Sequence, residues 1–576
     1  MFAGLVPLAV IAIAIVLVVR LRQSRGSGIH AESAGEALRR FFVFLLLLAA
    51  VLVAAFGVAG VVEAALPGPN PAREAMARSL AFLVVGLPAA GWLAWLARRR
   101  FLADPAERSS LGWVLYLSAV LLTSLGGAMF GGIRTLHWAF GVGPGERGAF
   151  DPAAAAALIV WFAVWAGHWW LAAQAAPAER LQPQLLAGSA AGLGAGAAAA
   201  GASLGLTFSW LYDRWFDGAA GALFGDDLRR VVAILLVGSV VWAWYWLVHG
   251  RRSSRTLLWH AYTVLLGVLG GMITAVVGIS IGLDRALVWW LGDPGTADAV
   301  VHFDALPGAA AALVVGLGVW AYHRLVLGPR RAGQRNEMER AHDYVAAGAG
   351  LLTAAAGVTI LLVGLIEALT PGGAGGGEAS ASNTLMLAVT LLAVGAPLWG
   401  VFWRVVGRSR TADAQAEVAS PSRRAYLFVL FGASAAAALG SLIAMMVTAF
   451  DDLLGGTFGS ATVLDMRIPM ALVITTGLLA GFHWSVYRKD RRISPAAARP
   501  AVREVVLVCC NGAAPAEEIR DRTGARVRVW HTAGTVERPA PDADIAEIVA
   551  AESHERVLVI ARPEGGYEVI PFEEPR

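Results

Sequence analysis

Apolar runs of roughly 20 residues, each about 30 Å of helix, recur along almost the whole of this 576-residue chain. Hydrocarbon offers no water to backbone N–H and C=O groups, so a run of this length is stable there as a helix that pairs them internally. The composition agrees. At 57% hydrophobic, 15% charged and a mean hydropathy of +0.62, the chain carries more apolar side chain than a soluble fold of its size could cover. The pattern predicts a polytopic membrane protein with thirteen spans, at roughly 4–20, 41–66, 79–97, 112–132, 153–172, 185–209, 230–248, 257–282, 307–327, 344–369, 383–405, 426–450 and 468–487.

Charge sets the expected orientation. The first run, Leu5–Val19, has no positive residue before it and Arg20, Arg22 and Arg25 after it. A secretory signal peptide has the opposite flank, so this run predicts an uncleaved helix with its N-terminus outside. Thirteen spans then place the C-terminus inside. Up to residue 492, 27 Arg/Lys fall on the side so assigned to the cytoplasm and 9 on the other, the asymmetry expected of a bacterial inner-membrane protein. The two cysteines are adjacent, which leaves no disulfide framework.

Spans two to thirteen read as six degenerate hairpins. Five of them open on basic and aromatic residues: ALRRFFVF, RSSLGWVLY, RTLLWHAY, RAHDYV and RRAYLFVL. The first helix of each is rich in small residues, and in five of six it carries an acid near its outer end: Glu63, Asp213, Asp284, Glu367 and Asp451. The second hairpin has Arg134 instead. The return helices close on clusters such as WAGHWWLAAQ, VWAYHRLVLGPRR and GFHWSVYRKDRR. Indole rings favour the membrane–water interface and arginines snorkel behind them, so Trp95, Trp169, Trp244, Trp320, Trp403 and Trp484 are expected to be interface anchors. His168, His323 and His483 are candidate haem or metal ligands on residue type alone. They share no common position when these exits are aligned, and none belongs to an i, i+4 ligand pair, so the anchor reading is preferred.

The five outer acids have two readings. They end the helices at a solvated boundary, or they ring an outer vestibule that binds cations or protons. Runs such as GSAAGLGAGAAAAGASLG and VLLGVLGGMITAVVGISIG predict close helix–helix seams. Pro88 and Pro397 fall inside the third and eleventh spans, where they predict kinks. No span centre carries Asp, Glu, Lys or Arg, which counts against an ion-coupled transporter. No GxxxxGK[ST], HExxH or GxSxG pattern occurs, so the usual marks of an ATPase, zinc protease or serine hydrolase are missing.

The stretch RRAYLFVLFGASAAAALGSLIAMMVTAFDDLLGG, with its return ending GFHWSVYRKDRR, resembles the bacterial domain-of-unknown-function 5671 family, and the resemblance extends over about residues 35–492. It implies a helical membrane architecture and supplies no activity, cofactor or catalytic residue.

Beyond about Pro495 the chain changes character. Residues 501–576 hold 14 Asp/Glu against 9 Arg, and VREVVLVCC, ARVRVWHT and ERVLVIARP read as strands. PAEEIRDRTG and DADIAEIVAAES read as helices, the latter capped by Asp542 or Asp544, and GGYEVIPFEE as a final hairpin strand. Cys509, Cys510, Asn511 and Gly512 fall between a strand and a helix start. That is a candidate ligand loop, set against the plainer reading of a strand end.

The expected fold is therefore an all-α polytopic membrane bundle of about 13 transmembrane helices and six degenerate hairpins, with a small C-terminal cytosolic α/β domain. Its parts are 1–34 (anchor helix and linker), 35–492 (hairpins), 493–500 (linker) and 501–576 (domain). The expected function is a non-enzymatic scaffold or accessory subunit of a membrane assembly, with a transporter or channel as the alternative. No catalytic, cofactor or metal residues are expected. The expected partners are the lipid bilayer and other membrane subunits met through small-residue faces, with no nucleic acid.

Overall fold

The structure is a computed structural model. It describes residues 34–68, 72–143, 149–175, 178–216, 223–328, 336–371, 377–493, 502–508, 513–530, 545–550, 552, 554–561 and 567–572. The span expected at 4–20, both candidate caps Asp542 and Asp544, and the loop Cys509–Gly512 lie outside the described residues.

Twelve of the described helices are long and apolar enough to cross a membrane. They are α1 (Ala34–Ala65), α2 (Arg73–Ala103), α3 (Leu111–Ala139), α4 (Pro152–Ala175), α5 (Gln182–Trp215), α6 (Leu223–Trp242, continued by a π-helical turn Ala243–His249), α7 (Leu257–Leu291), α8 (Leu306–Val326), α9 (Glu337–Leu369), α10 (Gly377–Ala412), α11 (Pro421–Gly455) and α12 (Arg467–Ile493). Within α7, Tyr262–Leu269 is also π-helical. Pro88 lies inside α2 and Pro397 inside α10.

Four first helices of hairpins begin with a side-chain cap. Ser110 Oγ, Thr256 Oγ1, Asn336 Oδ1 and Ser420 Oγ accept from the backbone N–H three residues on, at 3.3, 3.3, 2.8 and 3.3 Å. Each cap satisfies one of the four N–H groups that a helix start leaves without a partner.

The chain divides into two compact units, Met1–Arg404 with Leu442–Ala471 and Val405–Ser441 with Leu472–Arg576. In the first unit, helices pair in chain order: α1 with α2, α3 with α4, α5 with α6, and α7 with α8. Glycines set the closeness of these pairs. A Cβ at Gly271 would stand 2.5 Å from Trp320 N, and one at Gly316 would stand 2.7 Å from Gly271 O, so the backbones of α7 and α8 meet directly. A Cβ at Gly350 would meet Gly395 O at 2.9 Å, so α9 and α10 approach in the same way. The expected small-residue seams are thus seams within hairpins. Packing between hairpins joins consecutive ones: α1 with α3 and α4, α3 with α6, α5 with α8, and α9 with the π segment of α7. Outward helix faces are apolar and exposed, as at Val84 and Val85 of α2.

In the second unit the C-terminal segment folds as β1 (Glu504–Val508), α13 (Ala513–Thr523), β2 (Arg526–Trp530), α14 (Ile545–Ala550), β3 (Arg556–Ala561) and β4 (Tyr567–Pro571). The sheet order is β2-β1-β3-β4. β1 pairs in parallel with β2 (Val506↔Arg528) and with β3 (Val506↔Leu558), and β4 closes antiparallel on β3 (Val559↔Val569). β1 is central, which is why Val505, Val506 and Leu507 are all buried and EVVLV shows no polar alternation. Its core joins Val505, Leu507, Ile519, Ile545, Val549, Val557 and Val559.

Candidate functional site

The aromatic exits of the return helices do more than face lipid. Of the expected anchors, Trp95, Trp244 and Trp484 are exposed, whereas Trp169, Trp320 and Trp403 are half-buried. Several exit tryptophans reach a neighbouring hairpin. Trp165 Nε1 donates to Tyr245 Oη at 2.7 Å, Trp242 Nε1 to Tyr262 Oη at 3.2 Å, and Trp246 Nε1 to Tyr322 Oη at 3.1 Å. The two π-helical turns face one another here, with the rings of Trp246 and Tyr262 4.5 Å apart. Such turns recur at functional sites because the extra residue re-aims a side chain.

The three exit histidines do share a position, contrary to the reading from sequence. His168, His323 and His483 each bond Nδ1 to the carbonyl one turn back (Val164, Val319 and Leu479, at 2.7–2.8 Å). Each then faces a tyrosine on the first helix of its own hairpin: Tyr116, Tyr262 and Tyr426, with ring centroids 5.6–5.9 Å apart. Tyr116 Oη and His168 Nε2 are hydrogen-bonded at 2.8 Å. In the fifth hairpin the pair is reversed, His342 facing Phe402. A spacing in the sequence carries this equivalence: Trp92/Trp95, Trp165/His168, Trp242/Tyr245, Trp320/His323 and Trp399/Phe402 all read Trp-x-x-aromatic, and Ala480/His483 continues the register. His323 and His483 are fully buried, and their Nε2 atoms have no hydrogen-bond partner among the described residues. Among the described residues no three His, Cys, Asp or Glu side chains gather into a metal-binding group.

The five outer acids stand in different surroundings. Glu367 pairs with Arg467 at 2.6 Å, tying α9 to the start of α12. Glu63 and Asp213 are half-buried in the last turns of α1 and α5, and Asp451 is exposed on α11. Asp284 is half-buried on α7, and its Oδ1 has no hydrogen-bond partner among the described residues. In the second hairpin Arg134 pairs with Asp151 at 2.6 Å. Other side chains at this end link one hairpin to the next. Arg229 Nη1 donates to Phe140 O at 3.0 Å, Tyr212 Oη to Val300 O at 3.0 Å, and Asn383 bonds both Asp293 N (2.9 Å) and Asp293 O (2.8 Å).

The opposite ends are linked in the same fashion. Buried Glu107, on the turn before α3, takes Arg39 at 3.2 Å and Arg40 at 3.1 Å from α1. Buried Gln182 at the start of α5 donates to Ser253 Oγ at 3.1 Å and Ser254 O at 2.5 Å, and accepts from Thr256 Oγ1 before α7. At the start of α9, His342 Nδ1 meets Asp343 Oδ1 at 2.9 Å, both side chains buried, beside the ring of Trp320. In the second unit, buried Arg423 grips Asp490 through Nε at 2.6 Å and Nη2 at 3.1 Å, with Arg410 at 3.5 Å. Sequence reasoning missed all of these: the partners of Glu107, Gln182 and Asp490 lie some 70 residues away, and the adjacent His342 and Asp343 gave no spacing signal.

One cavity of about 890 Å³ opens between α7, α8 and α10. Its walls are apolar and include Gly278, Gly282, Ala310, Leu313 and Pro397, with Trp320 and Phe402 toward one end.

Polar contacts gathered at both helix ends, with apolar seams and clefts between them, define a polytopic helical membrane protein. The family model described as "Domain of unknown function (DUF5671)" matches residues 40–154 and again 340–478, so the resemblance read from sequence is found in these two segments. The match is narrower than the resemblance read from sequence, since residues 155–339 lie between its two parts. No curated protein and no solved structure matches the chain.

Proposed function

We propose that this chain is a non-enzymatic multi-pass scaffold or accessory subunit, held in a bacterial inner membrane with its C-terminal domain in the cytoplasm. The observation that carries the reading is the use made of the polar side chains. At both ends of the helices they link consecutive hairpins, and the cavity between α7, α8 and α10 is apolar. A conduit for ions or polar solutes needs the reverse, polar groups converging on a cavity at mid-span. The apolar cleft, with Gly282 and the exposed Ala310 on its walls, suits close approach of a partner's transmembrane helix. The double match to one family model, with the Tyr–His pairs recurring across hairpins, supports descent of the hairpins from a repeated unit.

Ala310→Phe tests the scaffold reading. It fills the cleft from an exposed position, so wild-type insertion and thermal stability are expected together with loss of a co-purifying membrane subunit. Unchanged co-purification would count against the cleft. Flux of a cation through proteoliposomes of the purified chain would overturn the scaffold reading as a whole. The second reading, a transporter with an acidic outer vestibule, rests on Asp284, which lies on a helix long and apolar enough to cross a membrane and whose Oδ1 has no partner among the described residues. It requires that any such flux fall in Asp284→Asn.

A further inference from the structure

The sixth hairpin carries two matching stripes of side chains that flank one groove. On α11, Arg424, Phe428 and Phe431 follow at i, i+4 and i+7; on α12, Arg491, Tyr487 and Trp484 follow at the mirrored spacing. All six line a groove of about 980 Å³. Phe431 stacks on Trp484 at 5.6 Å, and Trp484 lies 5.7 Å from Tyr487, which makes an aromatic floor. The floor is open to the surroundings, since Phe428, Trp484 and Tyr487 are all exposed. Seven residues of helix separate Arg424 from Phe431, about 10 Å, which is the distance from headgroup level into the hydrocarbon.

The charges at the mouth do not balance. Asp490 is already held by buried Arg423 at 2.6 Å and flanked by Arg410 at 3.5 Å. Arg424 and Arg491 have no carboxylate partner among the described residues, so the mouth keeps two positive charges over an apolar groove. We propose that this groove is a binding site for an anionic phospholipid. Its phosphodiester sits between Arg424 and Arg491, and an acyl chain runs along Phe428, Phe431 and Trp484. Guanidinium groups match phosphate oxygens in geometry as well as in charge, and aromatic side chains at this depth hold glycerol and upper acyl carbons. The ion pair of Arg423 with Asp490 keeps the two helices at the spacing the groove needs. Free phosphate offers the same charge without the chain, and only a lipid fills the aromatic half of the groove.

The test uses the full chain in detergent, with lipid retention read by native mass spectrometry. Wild type is expected to keep phosphatidylglycerol through delipidation and to lose phosphatidylcholine. Arg424→Gln/Arg491→Gln is expected to lose phosphatidylglycerol retention by about 30-fold, the effect of two arginines near a charged surface. Arg424→Lys/Arg491→Lys, which keeps the charge, is expected to retain most of it. Phe428→Ser is expected to weaken lipid retention without altering the response to inorganic phosphate. Thermal melting of each variant shows whether it is folded, and a misfolded double Gln variant is replaced by the single ones. Equal retention of the two lipids, or equal retention by wild type and the Gln variants, would overturn the proposal. Displacement of phosphatidylglycerol by millimolar inorganic phosphate would assign the mouth to a free anion and overturn the lipid.

Discussion

Gly271→Ala should separate the fourth hairpin more than any exposed substitution on the same helices. The added Cβ would stand 2.5 Å from Trp320 N and 2.8 Å from Gly316 O, against 3.4 Å or more for ordinary contact, so α7 and α8 must part by about 0.9 Å. The opposing atoms are backbone, which no rotamer change can move aside. Overpacking of this kind costs about 1–3 kcal/mol. Gly318→Ala on α8 is the control, because nothing lies within 4 Å of its Cβ. Both substitutions gain the same helix propensity, about 1 kcal/mol, so their difference isolates the clash. Equilibrium unfolding of the purified protein in mixed detergent should place Gly271→Ala about 1–3 kcal/mol below Gly318→Ala. Gly271→Ala/Gly316→Ala should cost less than the sum of the single changes, since one displacement relieves both contacts. Equal stability of Gly271→Ala and Gly318→Ala would refute the backbone seam, and strict additivity of the pair would refute its being shared.

Three further outcomes are expected. Asp490→Ala leaves Arg423 buried without its carboxylate and should cost about 3–5 kcal/mol in the same unfolding measurement; a loss below about 1 kcal/mol would mean the pair is solvated. Tyr116→Phe removes the 2.8 Å bond to His168 and should cost about 1–2 kcal/mol, seen also as a shift of the His168 ring signal in a magnetic-resonance spectrum; no change in either readout would remove the pair from the structural account. Deleting residues 498–576 should leave insertion and detergent melting of the helices unchanged, because the core of the C-terminal sheet is built only from residues of that segment. Aggregation of the truncated chain would contradict this.

Much of the fold was legible because the bilayer imposes it. Twelve of the thirteen expected spans correspond to long apolar helices, and the strands read from EVVLV, RVRVW and RVLVIA form one sheet. What the sequence concealed depends on geometry between segments. The common position of His168, His323 and His483 was hidden because the facing ring lies some 50 to 60 residues away, and because the fifth hairpin exchanges the two partners. Arg423 and Asp490 look like ordinary members of basic and mixed clusters until folding brings them together out of water. Trp165, Trp242 and Trp246 carry the residue type of an interface anchor, and only their hydrogen-bond partners distinguish an anchor from a joint. Glu367 was legible as an outer acid, whereas its pairing with Arg467 was not.

The links between consecutive hairpins bear on how the protein is made. A ribosome delivers helices in order, and here each hairpin meets its polar partners in the one just before it: Glu107 finds Arg39 and Arg40 already inserted, Gln182 waits for Ser253 and Thr256, and Asn383 meets Asp293. Assembly can then advance one hairpin at a time, with few polar ends left open while the rest of the chain is still being synthesised. A nascent chain arrested once residue 328 has cleared the ribosome should already hold its first four hairpins in native contact, ready to receive the fifth.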